Sequence, residues 1–88
     1  MFGGEAQRVS IWFENKLLDT VIERFGTGAN VMYRPEGDSG FVVTTEVEIS
    51  PLFFAWICGF GSKAKISTPI VAEQFAAYLS EIQDMYDF

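Results

Sequence analysis

The sequence predicts an α+β domain built on a four-stranded antiparallel sheet, and three observations predict it. Arg8 to Phe13 alternates apolar and polar residues, the pattern of a strand with one buried face. Lys16 to Phe25 spaces its apolar residues by three and four, the pattern of an amphipathic helix. Phe54-Ala55-Trp56-Ile57-Cys58-Gly59-Phe60-Gly61 runs straight into Ala64-Lys65-Ile66-Ser67-Thr68-Pro69, which joins an apolar helix, a glycine stop, a short strand and a proline-started helix.

Each element follows in order. The first strand places Val9, Ile11 and Phe13 on one side and Arg8, Ser10 and Trp12 on the other. In the helix Lys16 to Phe25, the residues Leu17, Leu18, Val21, Ile22 and Phe25 form the inner stripe. Asp19, Glu23 and Arg24 lie opposite, and Gly26 closes the helix. Asn30 to Pro35 and Phe41 to Ile49 flank the turn-forming run Glu36-Gly37-Asp38-Ser39-Gly40, which predicts a β-hairpin. Its second arm turns Phe41, Val43, Val47 and Ile49 to one face, with Thr45 interrupting, and Val42, Thr44, Glu46 and Glu48 to the other. Ser50-Pro51 starts the next helix, with a hydroxyl to cap and a ring already at helical φ. Phe53, Trp56, Ile57 and Phe60 make its stripe. Because Leu52, Phe54, Ala55 and Cys58 are apolar too, this helix is expected to be covered on more than one side. Gly59 and Gly61 end it. Ala64 to Ser67 is a fourth strand, and Thr68-Pro69 opens a last helix by the same device, expected to reach the chain end. Val71, Phe75, Tyr78, Leu79, Ile82 and Tyr86 form its predicted buried stripe, and Glu73, Glu81, Asp84 and Asp87 its wet side. The order β-α-β-β-α-β plus a terminal helix is the split βαβ, or ferredoxin-like, plan, with both crossover helices on one face of the sheet. Residues 1–6 read as a tail or linker and 7–88 as a single domain.

With 88 residues there is room for one core. A content of 49% hydrophobic and 16% aromatic residues excludes disorder and leaves apolar surface to spare for a partner. A net charge of -6 with only six Lys and Arg argues against direct binding to duplex DNA, where affinity comes largely from cations displacing counterions. A single Cys permits no internal disulfide and suits a reducing, cytoplasmic compartment. The apolar run Leu52 to Cys58 is about a third of a membrane span, and Met1-Phe2-Gly3-Gly4-Glu5 lacks the features of a secretory signal. No membrane association is expected.

The chain holds no His, so neither a Ser-His nor a Cys-His nucleophile pair can be built. Cys58 is expected to be buried as a small apolar group. Glu46 and Glu48 share a strand face and could act as paired carboxylates or as oxygen ligands, but a solvated sheet face is the simpler account. Gly26-Thr27-Gly28 and Gly59-Phe60-Gly61 follow helices rather than precede them, so they read as caps and not as phosphate cradles. No catalytic residue, metal site or cofactor is predicted. The candidate binding residues are Trp12 with Arg8, Ser10, Arg34 and Thr44, all on the face turned from the first two helices, where an indole beside guanidinium groups can stack on a base or anchor a protein contact. Cover of Trp12 by the terminal helix or a loop is the alternative. Tyr33 falls on the other side, and the glycine-aromatic pattern of RNA-recognition strands is absent. Lys63 and Lys65 read as edge charges that discourage strand pairing.

The Trp-x-Cys-x-Phe-Gly run at Trp56 to Gly61 and the strand-Pro-helix after it resemble the WCX domain, the C-terminal extension of WYL-domain bacterial transcriptional regulators. Val9-Ser10-Ile11-Trp12-Phe13 looks like that family's opening strand, Phe41 to Ile49 like its long third strand and Ile82 to Tyr86 like its closing segment. The resemblance implies a non-enzymatic module in a parent with a winged-helix DNA reader and a central WYL domain that senses a ligand, in some members a nucleic acid. It implies self-association, contact with an upstream WYL domain, and a nucleotide or single-stranded nucleic-acid ligand in the parent. Two features depart from the family. Glu14-Asn15 stands where its first helix commonly begins Ser-Pro, and Arg8, Ser10 and Trp12 stand where its first strand often carries basic residues. A second reading is a free-standing ferredoxin-like domain that takes a small metabolite or short single-stranded oligonucleotide on its sheet.

Overall fold

The computed structural model describes residues 6–87. Strand β1 (Ala6–Glu14) is followed by a 3₁₀ turn (Asn15–Leu17), helix α1 (Leu18–Phe25) and the hairpin β2 (Met32–Glu36) and β3 (Gly40–Glu48). Helix α2 (Pro51–Cys58), a 3₁₀ turn (Gly61–Lys63), strand β4 (Ala64–Ile66) and helix α3 (Pro69–Met85) complete it. The sheet order is β2-β3-β1-β4 with every neighbour antiparallel. This is the split βαβ plan: β3 is inserted between the strands joined through α1, and β1 between those joined through α2. Residues 1–5, most of the expected tail or linker, lie outside the described residues, and Ala6 belongs to β1, opposite Glu48.

The alternation in β1 and β3 makes one core. Val9, Ile11 and Phe13 of β1 and Val43 of β3 are almost wholly buried, with Val21 of α1, Ile57 of α2 and Val71 of α3. One residue from each helix in the same cluster means that all three helices clad the same face of the sheet. Phe13 sits among Phe41 (5.7 Å between ring centroids), Phe60 (5.8 Å) and Trp56 (6.0 Å). Burying each large side chain of this kind contributes about 1.5–3 kcal/mol, and Phe13, the largest of the fully buried side chains, is where truncation leaves the largest void. Phe54 is covered by Phe75 (5.5 Å) and Tyr78 (5.4 Å) of α3, which gives α2 the second side of cover its composition demanded.

Several local expectations are corrected. Cys58 is exposed, not buried, because α2 is apolar on every side and only two of its sides find neighbours; Leu52 and Ala55 are open as well. The predicted buried stripe of α3 holds only for Val71, Phe75 and Tyr78. Leu79, Ile82 and Tyr86 are exposed, together with Met85, since the helix runs past the end of the layer it packs on. The helix ends at Met85, with Tyr86 as its C-cap. Gly59 keeps a right-handed φ of -62°, and the left-handed turn falls on Gly61 (φ 61°). In the hairpin, Glu36 and Gly40 pair with one another, so the loop shortens to Gly37-Asp38-Ser39 with Gly37 at φ 67°. The hydroxyl-proline device works once. Ser50 Oγ accepts from Phe53 N–H (3.3 Å) and caps α2, whereas Thr68 Oγ1 makes no cap and instead accepts from the Ser10 N–H of β1 (2.9 Å).

Candidate functional site

With three helices on one face, the other face of the sheet carries the even-numbered residues of β1 and β3. Strand register arranges it in rows. Glu36, Gly40 and Glu14 form one row; Arg34, Val42, Trp12 and Lys65 the next; Met32, Thr44 and Ser10 the third; Glu46 and Arg8 the fourth. All five sequence candidates, Arg8, Ser10, Trp12, Arg34 and Thr44, therefore share one surface, as the alternation required.

They do not converge on one point. Ser10 Oγ and Thr44 Oγ1 hydrogen-bond each other (2.9 Å), so the two hydroxyls largely satisfy one another. Arg8 lies two rows from Trp12 and reaches across β3 to Met32 Sδ (3.9 Å). Arg34 stands beside Glu36, 4.0 Å away. The residues that flank Trp12 are Arg34 on β2 and Lys65 on β4, with Val42 between the indole and Arg34. Lys65, an expected edge charge on β4, pairs directly with Trp12. Its alternation with Ile66, which is buried, is the signal that places it on the Trp12 face.

Trp12 is half-buried, but not by a helix. Its indole occupies the space above Gly40 on β3: a Cβ at Gly40 would overlap Trp12 Nε1 and Cε2 and would lie 2.6 Å from the Phe13 carbonyl oxygen. The ring thus lies along the sheet next to Val42, which it helps to bury to 5% exposure. An apolar platform between two cations suits a planar anionic group. The acids Glu14 and Glu36 on one side of it and Glu46 and Glu48 on the other hold the face near neutrality overall, which weakens long-range attraction of a polyanion.

Behind the sheet, Tyr33 packs against Phe41 and donates its hydroxyl proton to the Gly26 carbonyl, and burial raises its pKa above the ordinary tyrosine value. Arg24 lies over the rings of Phe25 (5.6 Å) and Trp56 (5.5 Å). Among the described residues no helix is long and apolar enough to cross a membrane. No protein-family model, curated protein or solved structure matches the chain.

Proposed function

We propose that the chain is a non-enzymatic regulatory and interaction domain of the WCX kind, acting in the cytoplasm, which aids dimerisation and ligand-dependent control of a DNA-binding domain outside these residues. The observation that carries this reading is the exposed stripe Leu79, Ile82 and Met85 on α3, continued by Tyr86 at its C-cap, large apolar side chains presented by a helix whose first half is anchored in the core. A stripe of this kind marks a protein contact more often than it does a free surface. The domain-level resemblance at Trp56 to Gly61 supplies the regulatory part of the reading, and contact with an upstream WYL domain belongs to it. Light scattering from low to high micromolar concentration tests it. The average mass rises above the 9.9 kDa of one chain as concentration increases; a mass that stays there throughout sinks the self-association.

A second reading has an observation of its own. The row Arg34, Val42, Trp12 and Lys65 favours a small planar anion or short single-stranded oligonucleotide on the sheet, with stacking on the indole supported by flanking cations. Titration with nucleotides and oligonucleotides then changes Trp12 fluorescence in a salt-sensitive way, and Trp12→Ala abolishes the change. A response that survives in Trp12→Ala comes from Trp56 and removes this reading.

A further inference from the structure

The two central strands are longer than their outer neighbours, and one result is an open stretch of edge. β3 pairs with β1 from Gly40 to Glu48, but with β2 only from Gly40 to Thr44. β2 is cut short because the chain turns before it, with Val31 N–H bonded back to the Gly28 carbonyl (3.2 Å). The direction of the ladder bonds shows which groups are left over. Ser10 turns its N–H to Thr68 Oγ1 and its carbonyl to Ser67 N–H (2.8 Å), both on the β4 side. Ser10 and Thr44 are therefore a non-hydrogen-bonded pair, and Thr44 turns its own N–H and carbonyl towards β2. By the period of two, Glu46 and Glu48 turn theirs the same way, beyond the end of β2. Among the described residues these four backbone groups have no partner.

A groove of about 510 Å³ lies beside this edge, between the last turn of α1, β3 and the first turn of α2, lined by Phe25, Val47, Leu52 and Phe53 together with the polar side chains of Arg24, Thr45 and Ser50. The Glu46 and Glu48 side chains point to the opposite, outer face and form no ion pair among the described residues. Arg8, which faces Glu46 from β1, extends to Met32 instead.

We infer that this edge accepts an extended segment of a protein partner by strand addition, and that the segment alternates basic and apolar residues. The backbone groups of Glu46 and Glu48 bind it in the direction β2 would have taken. Residues directly opposite them emerge on the outer face, where a Lys or Arg meets each carboxylate across the strand pair. The residue between them faces Val47 and projects into the groove beside Phe25 and Phe53. Carboxylates on one side and, on the other, a groove whose one charged group away from the strand is the Arg24 cation specify the two faces of the incoming strand separately. Neither the α3 stripe nor the Trp12 platform takes part.

The probe is acetyl-Val-Lys-Val-Lys-amide, with its two lysines opposite Glu48 and Glu46 and the central valine, between them, opposite Val47, so that it stops short of Val31 and Met32. Saturable binding is expected with a dissociation constant below about 1 mM, with slowed hydrogen exchange at the Glu46 and Glu48 amides. Methylating the two lysine amide nitrogens, which face β3, weakens binding by about ten-fold or more; methylating the central valine nitrogen, which faces away, leaves it unchanged. The variant Glu46→Lys/Glu48→Lys prefers acetyl-Val-Glu-Val-Glu-amide, and should it fail to fold, the methylated peptides decide alone. Equal binding of both methylated forms, or no protection of the two amides at saturating peptide, overturns the proposal. Protection that appears without peptide and grows with protein concentration overturns it too, because a second copy then fills the edge.

Discussion

At Gly40 the missing side chain is what lets the Trp12 indole lie along β3. Replacing it with Ala drives a methyl group into the indole and towards the Phe13 carbonyl, an overpacking that costs about 1–3 kcal/mol in chemical denaturation. In a cycle with Trp12→Ala only part of that cost returns, since the carbonyl contact remains; full recovery, or no cost at all, contradicts the geometry. Tyr33 offers a second test. Tyr33→Phe loses the bond to the Gly26 carbonyl and about 0.5–1.5 kcal/mol at neutral pH. Because burial raises the folded-state pKa above 10.0, the wild-type contribution is complete below pH 10 and declines above it, where the unfolded chain ionises first. The stability gap between wild type and Tyr33→Phe therefore narrows as pH rises past 10, and a constant gap denies the burial. Neither feature was legible in the sequence beyond its face. Alternation assigns Trp12 to the outer side and Tyr33 to the inner, but the partner of each, Gly40 and the Gly26 carbonyl, is set by register and by the path of a loop.

Two hydroxyl-proline pairs show where element-level reading stops. Ser50-Pro51 and Thr68-Pro69 have the same local form, yet only Ser50 caps, because Thr68 lies beside a β1 amide that β4 is too short to pair by backbone alone. That neighbour is distant in sequence. The same holds for α3, whose apolar period continues to its end. At 1.5 Å per residue α2 is about 12 Å long and α3 about 25 Å, so the second half of α3 has nothing left to lie on. A period gives the direction of a stripe and not the length of the surface that receives it. The overhanging half bears Glu81 and Asp84, with Asp87 just beyond, and no Lys or Arg follows Lys65. Two such helices brought together repel one another, so the dimerisation proposed above is predicted to tighten as salt rises from roughly 0.05 to 0.5 M and the Debye length shrinks from above 10 Å to a few ångströms. Sedimentation equilibrium measures it, and weakening with salt would show that opposite charges, not the apolar stripe, hold the pair.

For the molecule as a whole, the fold was the legible part. Alternation in β1 and β3, helical spacing in α1, the turn residues of the hairpin and the proline starts of α2 and α3 agree with one another, and that consistency is what selects one topology. The exposure of Cys58 is not legible in the sequence, because a helix apolar on all sides carries no information about which side is covered. The overhang also shapes the molecule: the radius of gyration is 13.5 Å, against about 12 Å for a compact chain of this length, and the longest dimension is 41 Å. The proposed dimerisation places a second chain on that projecting helix. Met85, on the stripe, and Met32, on the outer sheet face, are both widely exposed, at 75% and 60%, and serve as probe and reference. Hydroxyl-radical oxidation followed by mass spectrometry, at low and at high micromolar protein, tests it most directly. With a second chain docked there, Met85 oxidation falls as concentration rises while Met32 oxidation holds constant; protection of Met32 alone, or of neither, contradicts docking on the helix.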